Sequence, residues 1–347
     1  FCGGEDYVKL LPKHDAEEYK MLENKIKNTL KSYSVCGYDP RKFCLDELIE
    51  KTFIEDFFNL KNKAMELAVK NYQEPKNYAQ LEKIERMVHS ISKRSLNLDL
   101  TNVYTSANDN RIRKIIKRYS SSPAFIQYNT FGTVTGRLST TPSSFPLLTL
   151  NKEYRTMIKP NNGVFIEFDY NAFELRVLTA LLGREQPKGD IHDWNIKNIF
   201  KDGTERSEAK KRIFAWLYNP NSDDALLSRE YDRDGLLKKY FSDGKITTDF
   251  DREIEADDYH ALNYLIQSTA SDLFLEQAYK VFKILENNNS KSYVSMLIHD
   301  SMILDFDRKD YKLLNQIRDT FKQTRYGEMK LNIQVGRTLG DLSTEWM

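Results

Sequence analysis

The chain has 347 residues, of which 40% are hydrophobic and 30% charged, and its 52 Lys and Arg against 51 Asp and Glu leave a net charge of +1. This composition provides for a buried core and excludes wholesale disorder, while a net charge near zero means that any nucleic acid must be contacted by a local basic surface. The three cysteines lack CxxC spacing, which predicts neither a disulfide framework nor a zinc site. No apolar run approaches the roughly 20 residues that cross a bilayer, so we expect a cytoplasmic protein with no membrane partner.

The first third of the chain has the pattern of charge-rich amphipathic helices. Residues 12–35 and 45–95 carry apolar residues at helical spacing among Lys and Glu, which predicts a helical arm. Residues 111–118, RIRKIIKR, form a short basic helix. This segment is interpreted either as a solvated helix face or as a phosphate-contacting helix, because Lys and Arg supply the salt-dependent part of nucleic-acid affinity.

The middle of the chain alternates between loop chemistry and regular elements. Ser, Thr, Pro and Gly cluster over residues 121–145, which is typical of loops and short strands. The pattern predicts a strand over 164–169, a helix over 173–182 and a second helix over 206–218. Residues 219–258 are predicted to be polar and irregular.

The C-terminal part combines one long helix with a hairpin. Helical periodicity predicts a helix over 261–287. Two apolar strand segments, 293–298 and 302–306, meet at His299–Asp300–Ser301, which predicts a β-hairpin. The two strands of such a hairpin are antiparallel.

Two aspartates occupy strand ends that are otherwise apolar. Asp169 ends the segment VFIEFD, and Asp300 lies at the tip of MLIHDSMIL. Because an unpaired buried carboxylate is costly, such a residue usually has a partner or a cation. If the two strand ends are adjacent, the pair would be a hard-oxygen site suited to magnesium. The alternative for either aspartate alone is a turn or capping residue.

The predicted helix over 206–218 carries a second pattern. Arg206, Lys210, Phe214 and Tyr218 recur every four residues, which places them along one helix face. The two cations suit a triphosphate and the two aromatic rings suit a base and sugar. The alternative is an ordinary amphipathic helix with aromatics in the core and cations in solvent. Residues 211–212, Lys and Arg, weaken that alternative because so basic a helix needs an anion to face.

Six ordered segments resemble the motifs of family-A DNA polymerases, the type of bacterial DNA polymerase I. DYNAFELR at 169–176 is similar to the family's DYSQIELR, residues 206–218 keep its Arg-x3-Lys-x3-Phe-x3-Tyr frame, and His299–Asp300 matches its His-Asp-Glu hairpin. Three further segments resemble T-x-T-G-R-L-S, D-I-H and N-x-P-x-Q-G-x-A-A-D, at 133–139, 190–192 and 263–272. The chain is therefore interpreted as a polymerase module without a proofreading domain, although the resemblance is thin over residues 1–120.

The resemblance implies a reaction and a cofactor. Asp169 and Asp300 would hold two Mg²⁺ ions, with the backbone carbonyl of Tyr170 completing the metal shell. Arg206 and Lys210 would bind the triphosphate, and Lys210 would donate a proton to the leaving pyrophosphate. Phosphoryl transfer depends mainly on positioning and charge neutralisation, which such a set supplies.

The resemblance also assigns nucleotide contacts. Phe214 would stack on the incoming nucleotide and Tyr218 would lie near the templating base. Glu174 would lie under the sugar, where its bulk excludes a ribose 2′-hydroxyl and makes the product DNA. His192 would lie near the triphosphate.

A further set of residues is implied to contact the primer–template DNA. Arg137, Asn263 and Gln267 would face its minor groove, where base pairs share acceptor groups and fit is checked without reading sequence. His299 would lie beside the primer terminus.

The sequence departs from the family at several positions. Ser301 stands where the family has Glu after His-Asp, which removes a supporting carboxylate. Asn219 and Ser268 replace glycines, and Tyr259 replaces an arginine. The segment between Tyr218 and Asn263 is also shorter than in the family. These changes affect efficiency and fidelity more than reaction type.

The resemblance implies an α+β fold of the right-hand polymerase type, with an antiparallel sheet in the palm and helical fingers and thumb. The helical thumb region would cover residues 1–125, the palm 126–185 and 265–347, and shortened fingers 186–264. Primer–template DNA and deoxynucleoside triphosphates would be the partners of a monomer, with an upstream exonuclease domain or a processivity factor left open. The abundance of Lys, Asn, Ile and Tyr is typical of an A/T-rich genome and favours a phage-like source, which would place the protein in the host cytoplasm.

Two other functions stay open at this point. A single-subunit RNA polymerase shares the hand and the aspartates, but Glu174 argues against it. A catalytically silent relative that binds primer–template DNA is suggested by Ser301 and the short fingers. Retention of both aspartates together with Arg206 and Lys210 argues against the silent relative.

Overall fold

The structure is a computed structural model that describes residues 7–40, 43–106, 108–201, 203–219, 221–222 and 224–344. Cys2, one of the three cysteines, lies outside the described residues, and Cys36 and Cys44 are free thiols. The chain divides into two compact units, Phe1–Pro75 and Lys76–Met347. Among the described residues, no helix combines the length and apolar character needed to cross a membrane.

The smaller unit is helical in its described part. A 3₁₀ helix, Tyr7–Leu10, precedes α1 (Lys13–Val35), α2 (Leu45–Leu48) and α3 (Lys51–Asn71). Val8, Leu11, Tyr19 and Ala64 form its small buried cluster. The stacked rings of Tyr19 and Phe57, 5.1 Å apart, join α1 to α3.

The larger unit begins with α4 (Tyr78–Ser92) and combines helices with short and long strands. The helices that follow are α5 (Asn110–Tyr119), α6 (Phe173–Leu181), α7 (Ile191–Asn195), α8 (Arg206–Tyr218), α9 (Ala225–Tyr231), α10 (Arg233–Tyr240), α11 (Ala261–Asn287) and α12 (Leu314–Lys322). The strands are β1 (Ser95–Leu98), β2 (Ala124–Phe125), β3 (Tyr128–Asn129), β4 (Ser139–Thr140), β5 (Ile158–Lys159), β6 (Val164–Tyr170), β7 (Phe241–Ser242), β8 (Lys245–Thr247), β9 (Glu253–Glu255), β10 (Tyr293–Ile298), β11 (Ser301–Phe306), β12 (Gln323–Thr324), β13 (Gly327–Glu328) and β14 (Leu331–Gly336).

A four-stranded antiparallel sheet in the order β10-β11-β6-β14 forms the centre of the larger unit. The hairpin β10–β11 was predicted from two apolar runs, and β11 then pairs with β6 from Ser301↔Asp169 to Phe306↔Val164. β14 pairs with the other edge of β6, from Leu331↔Tyr170 to Gly336↔Phe165. The predicted α+β fold with an antiparallel sheet is therefore confirmed.

Helix α11 passes through the core of this unit and contacts α4, α6, α8, α10 and α12. Sixteen of its residues are buried, from Ala261 to Leu285, because a helix surrounded by other elements needs apolar residues on most of its faces. Phe321 of α12 stacks on Tyr170 with ring centroids 4.6 Å apart. The packing fixes the end of β6, and with it Asp169, against rigid helices.

Two expectations from the sequence are wrong. Helical structure does not run continuously through 45–95, because Tyr72 to Asn77 separate α3 from α4 and Pro75 removes a backbone donor there. Residues 219–258 are not irregular, because α9, α10 and the sheet β7-β8-β9 lie within them. These elements have two to eight residues, too short for a clear periodicity. The thumb, palm and fingers boundaries at 125, 185 and 264 stay a prediction.

Candidate active site

The two aspartates lie at one end of the central sheet. Asp169 is the penultimate residue of β6, and Asp300 lies in the turn that joins β10 to β11. Because Ser301 is the register partner of Asp169 in an antiparallel pair, Asp300 lies opposite Tyr170, the last residue of β6. The Tyr170 amide donates to the Asp300 backbone oxygen at 3.5 Å. The antiparallel pairing thus brings together two carboxylates that are 131 positions apart in the sequence.

The environment of these carboxylates favours a cation. Burial, together with the negative charges of Asp300 and Glu167, raises the pKa of Asp169 to about 6, against the opposing effect of a hydrogen bond from Asn332 at 3.0 Å. Burial also raises the pKa of Asp300. Within the described part of the chain, neither aspartate forms an ion pair with Lys or Arg. Uncompensated, half-buried oxygens of this kind fit a divalent cation such as Mg²⁺.

The turn and the strand end are rigid. His299, at the first turn position, has a φ of 55°, in the left-handed region that a non-glycine residue rarely adopts. The Tyr170 ring is buried and stacks on Phe173 at 4.4 Å, so only its backbone remains to face the aspartates. This is compatible with the carbonyl role that the sequence implied for Tyr170. His299 itself is exposed.

Glu174 joins three of the resembled motifs. On α6, its Oε1 is ion-paired with Arg137 and its Oε2 accepts a hydrogen bond from the Tyr218 hydroxyl of α8. Arg137, Glu174, His299 and Asp300 line the same cavity. Arg137, Glu174 and Tyr218 therefore form a polar network that reaches α8 from the cavity that Asp300 also lines, through residues that the sequence had assigned to separate roles.

Helix α8 carries the predicted stripe, Arg206, Lys210, Phe214 and Tyr218, on the side that borders the core. Arg206 and Lys210 are exposed, and Phe214 and Tyr218 are half-buried with their rings stacked at 5.7 Å. The Lys210 ammonium lies 5.7 Å from the centre of the Phe214 ring. The buried residues of the helix are Ala209, Ile213, Trp216 and Leu217. Because Phe214 and Tyr218 also pack against the edge of the core while Arg206 and Lys210 face solvent, the ordinary amphipathic helix stays open as an alternative.

The basic residues of α8 have acidic partners within the protein, contrary to the expectation that so basic a helix needs an external anion. Arg212 does not lack an anion, because Asp224 pairs with it at 2.8 Å and the ring of Phe200 lies 4.3 Å from its guanidinium. Arg206 also has acidic neighbours, Asp190 at 3.0 Å and Asp193 at 3.5 Å. The positive charges of α8 are thus partly neutralised by carboxylates of the protein itself. The composition could not show this, because the acidic partners lie on neighbouring elements.

His192 lies beside this stripe. Asp190 caps α7 by accepting from the amides of His192 and Asp193. The His192 ring is buried 6.3 Å from the Phe214 ring, and burial lowers its pKa. Its Nδ1 has no hydrogen-bond partner among the described residues. A buried, unpartnered ring nitrogen beside α8 is available to a ligand.

The loop that carries Arg137 is tied to α11. Gly136 has a φ of 73°, and a Cβ there would lie 2.6 Å from the Arg252 guanidinium. The Gly136 carbonyl accepts from Ser271 at 2.8 Å. Arg252 makes two hydrogen bonds to the buried Asp272, at 2.7 and 2.8 Å. Glycine is therefore required because a side chain would displace this buried ion pair.

Asn263 and Gln267 are one helical turn apart near the start of α11, and both are half-buried. The Asn263 Oδ1 is buried without a hydrogen-bond partner among the described residues. In the described part of the chain, neither side chain forms a hydrogen bond with Asp169 or Asp300. The structure therefore leaves their DNA-facing roles as a proposal.

Three residues near the aspartates were missed in the sequence. Arg176 is fully buried and donates to the carbonyls of Asn171, Pro187 and Gly189, which holds the loop between α6 and α7. Asn332 donates to Asp169, and Glu167 accepts from Ser301. Only Glu167 had a local signal, since it is two residues before Asp169 and a strand alternates with period two.

The basic segment 111–118 forms α5. Ile112 and Ile115 face the core, whereas Arg111, Arg113, Lys114, Lys117 and Arg118 are exposed. Arg118 donates to the Ser143 carbonyl at 2.7 Å. Both interpretations of this helix, solvated face and phosphate contact, stay open.

Relatives in sequence are DNA polymerases. The chain is 22% identical over 299 residues to DNA polymerase I of Borreliella burgdorferi, covering 70% of this chain and 32% of that protein. It is 24% identical over 237 residues to DNA polymerase I of Caldicellulosiruptor bescii, covering 54% and 28%. It is 26% identical over 246 residues to a DNA polymerase of Bacillus phage SP01, covering 51% and 26%. No protein-family model matches the chain.

A solved structure shows the same fold. The POL domain of Pol1 from M. smegmatis, in complex with DNA primer-template and dNTP, matches 93% of this chain and 66% of that chain with a TM-score of 0.52 and 16% identity. The chain spans between 26% and 32% of the length of the curated relatives named above. The resemblance to the family-A polymerase module and the α+β polymerase fold are thereby confirmed.

Proposed function

We propose that the chain performs template-directed DNA synthesis, adding deoxynucleoside triphosphates to the 3′-hydroxyl of a primer. The observation that carries the proposal is the cavity that Asp300, Arg137 and Glu174 line together, from which the contacts of Glu174 with Arg137 and Tyr218 lead to α8. The named relatives are DNA polymerases, and the solved neighbour holds DNA and dNTP, which supports the same activity here.

The resemblance implies a role for each site residue, and the position of the residue supports that role. Asp169, Asp300 and the Tyr170 carbonyl would hold two Mg²⁺ ions, which when bound activate the primer hydroxyl and neutralise charge on the leaving pyrophosphate. Lys210, exposed on α8, would contact the triphosphate and give a proton to the pyrophosphate. Arg206 would exchange its surface carboxylate partners for phosphate, whose oxygens its fork matches.

The remaining residues would position the nucleotide and the primer. Glu174 is fixed at both oxygens and would block a ribose 2′-hydroxyl. Phe214 and Tyr218 would offer stacked rings to the base, and the buried His192 would lie close to the triphosphate. Arg137, Asn263, Gln267 and His299 would contact the primer–template DNA.

Primer extension tests the proposal. Wild-type protein with Mg²⁺, a primed DNA template and four deoxynucleotides is expected to extend the primer, and Asp300→Asn is expected to lose about a thousandfold in rate, because several kcal/mol of charge stabilisation depend on that carboxylate. Asp258→Asn, an exposed aspartate on the same unit, is the matched control.

The outcomes separate the alternatives. Extension that depends on Asp300 supports the polymerase. Wild-type protein that binds primed DNA without extending it would instead indicate the silent relative. Faster use of ribonucleotides than of deoxynucleotides would indicate an RNA polymerase.

A further inference from the structure

We propose that Glu167 supplies the carboxylate that supports the pair Asp169 and Asp300. Ser301, which stands where the family has a glutamate, has no carboxylate to offer this pair. The inference rests on the proposed function and adds a positioning residue to it. This role for Glu167 follows from a contact between β6 and β11, which lies outside the sequence motifs.

Strand geometry places Glu167 on the side of the sheet where Asp169 lies. The two residues are two positions apart on β6, and side chains at that spacing share one face. Both are half-buried, whereas Ile166, Phe168 and Tyr170 are buried. The antiparallel register sets Ser301 opposite Asp169 and Ile303 opposite Glu167. Ser301 is therefore the diagonal neighbour of Glu167, within reach of its side chain.

A direct contact links the two positions. The Ser301 hydroxyl donates to Glu167 Oε1 at 2.7 Å. Ser301 is buried, with 6% of its surface exposed, and a hydroxyl so placed orients the carboxylate without contributing charge. A Glu167 oxygen thus lies at hydrogen-bond distance from the side chain of the residue that follows Asp300. Glu167 of β6 therefore brings a carboxylate to the position at which the hairpin β10–β11 has none.

The charges around Glu167 are consistent with this role. Among the described residues, no Lys or Arg forms an ion pair with Glu167, and only the Ser301 hydroxyl donates a hydrogen bond to its side chain. A carboxylate held near a bound cation by a second residue strengthens the cation's binding, and loss of such an outer contact typically weakens metal affinity. The contact with the buried Ser301 hydroxyl also fits a purely structural role, and the Glu167→Gln variant separates the two roles because it keeps that contact and removes the charge.

Metal binding without substrate provides the first test. Mn²⁺ binding to the full chain, without DNA or nucleotide, is followed by the electron paramagnetic resonance signal of free Mn²⁺. Glu167→Gln keeps an oxygen for Ser301 and removes the charge, and it is expected to weaken Mn²⁺ binding about tenfold. Glu253→Gln, an exposed glutamate on strand β9, is the matched control and is expected to bind as the wild type does.

Relocating the carboxylate provides the second test. In the double variant Glu167→Ala with Ser301→Glu, the charge returns to the hairpin, and Mn²⁺ affinity is expected to recover to within about threefold of wild type. The Mg²⁺ concentration that gives half-maximal primer extension should follow the same order across the variants. Rescue by relocation is not expected if Glu167 serves only the fold.

The results distinguish this inference from the proposed function. Wild-type extension combined with unchanged Mn²⁺ affinity in Glu167→Gln overturns the inference alone. A wild type that extends no primer overturns the proposed function, whatever the Mn²⁺ titrations show. If Glu167→Gln fails to fold, Ser301→Ala, which removes only the orienting hydroxyl, replaces it, and unchanged Mn²⁺ affinity in that variant overturns the inference.

Discussion

Asp169 should destabilise the ion-free protein at neutral pH, so that Asp169→Asn is more stable than the wild type. Burial raises the pKa of this carboxyl to about 6, against an ordinary value of 3.8. At about 1.4 kcal/mol for each tenfold change in the ionisation equilibrium this corresponds to about 3 kcal/mol. Asparagine removes the charge and keeps an acceptor for Asn332. Because the side chain is only half-buried, we expect a net gain of about 2 kcal/mol.

The sign of the pH dependence follows from the direction of the shift. An acid whose pKa is raised by folding binds its proton more tightly in the folded state, so its ionisation costs stability above a pH of about 6. The cost shrinks as the pH falls below that value, and it vanishes below the ordinary pKa of 3.8. The advantage of Asp169→Asn should therefore be full at pH 8 and small at pH 4.

Thermal unfolding in the presence of EDTA measures this difference between pH 4 and pH 8. For a unit of this size, about 2 kcal/mol corresponds to roughly 4–8 °C in the melting temperature. Asp258→Asn serves as the exposed control and should shift it little. An Asp169→Asn protein that is no more stable at pH 8, or whose gain is equally large at pH 4, would refute the reasoning. Added Mg²⁺ should stabilise the wild type more than the variant, because it binds the folded state.

Three further predictions concern the network around the aspartates. Glu174→Ala should lower discrimination against ribonucleotides at least about tenfold in competition assays, and an unchanged ratio would contradict a role under the sugar. Lys210→Ala should lower kcat about a hundredfold if the ammonium donates a proton, whereas Lys211→Ala on the same helix should stay near wild type. Equal kcat in the two variants would exclude Lys210 as the proton donor. Arg252→Ala should lower the free energy of unfolding by about 3 kcal/mol or more in denaturant titrations, because it leaves the buried Asp272 carboxylate without its partner. A loss below about 1 kcal/mol would show that water reaches that carboxylate.

Much of the local structure follows from the sequence. Helix α8 begins and ends where the four-residue spacing predicted, at Arg206 and Tyr218, and α11 covers the predicted 261–287. Two apolar runs separated by polar residues predicted the hairpin around His299–Asp300, and the structure contains it. Each of these features depends on residues a few positions apart, so the periodicity of the chain determines them.

The short elements between α8 and α11 could not be predicted. Asp232, Asp243 and Asp251 adopt positive φ values there, at turns that interrupt the pattern every few residues. Leu227, Tyr231, Leu236, Ile246 and Ile254 are nevertheless buried, so tertiary packing rather than local periodicity sets these helices and strands.

The sequence by itself determined which residues were available for the chemistry: two strand-end aspartates, the striped helix and the Ser301 departure. Only the tertiary structure decided their neighbours. It set Ser301 against Glu167 and Asn332 against Asp169, pairs separated by 134 and 163 positions. The physical reason is that antiparallel register, fixed by burying Ile166 and Phe168 on one face of β6, brings distant side chains together on the other face.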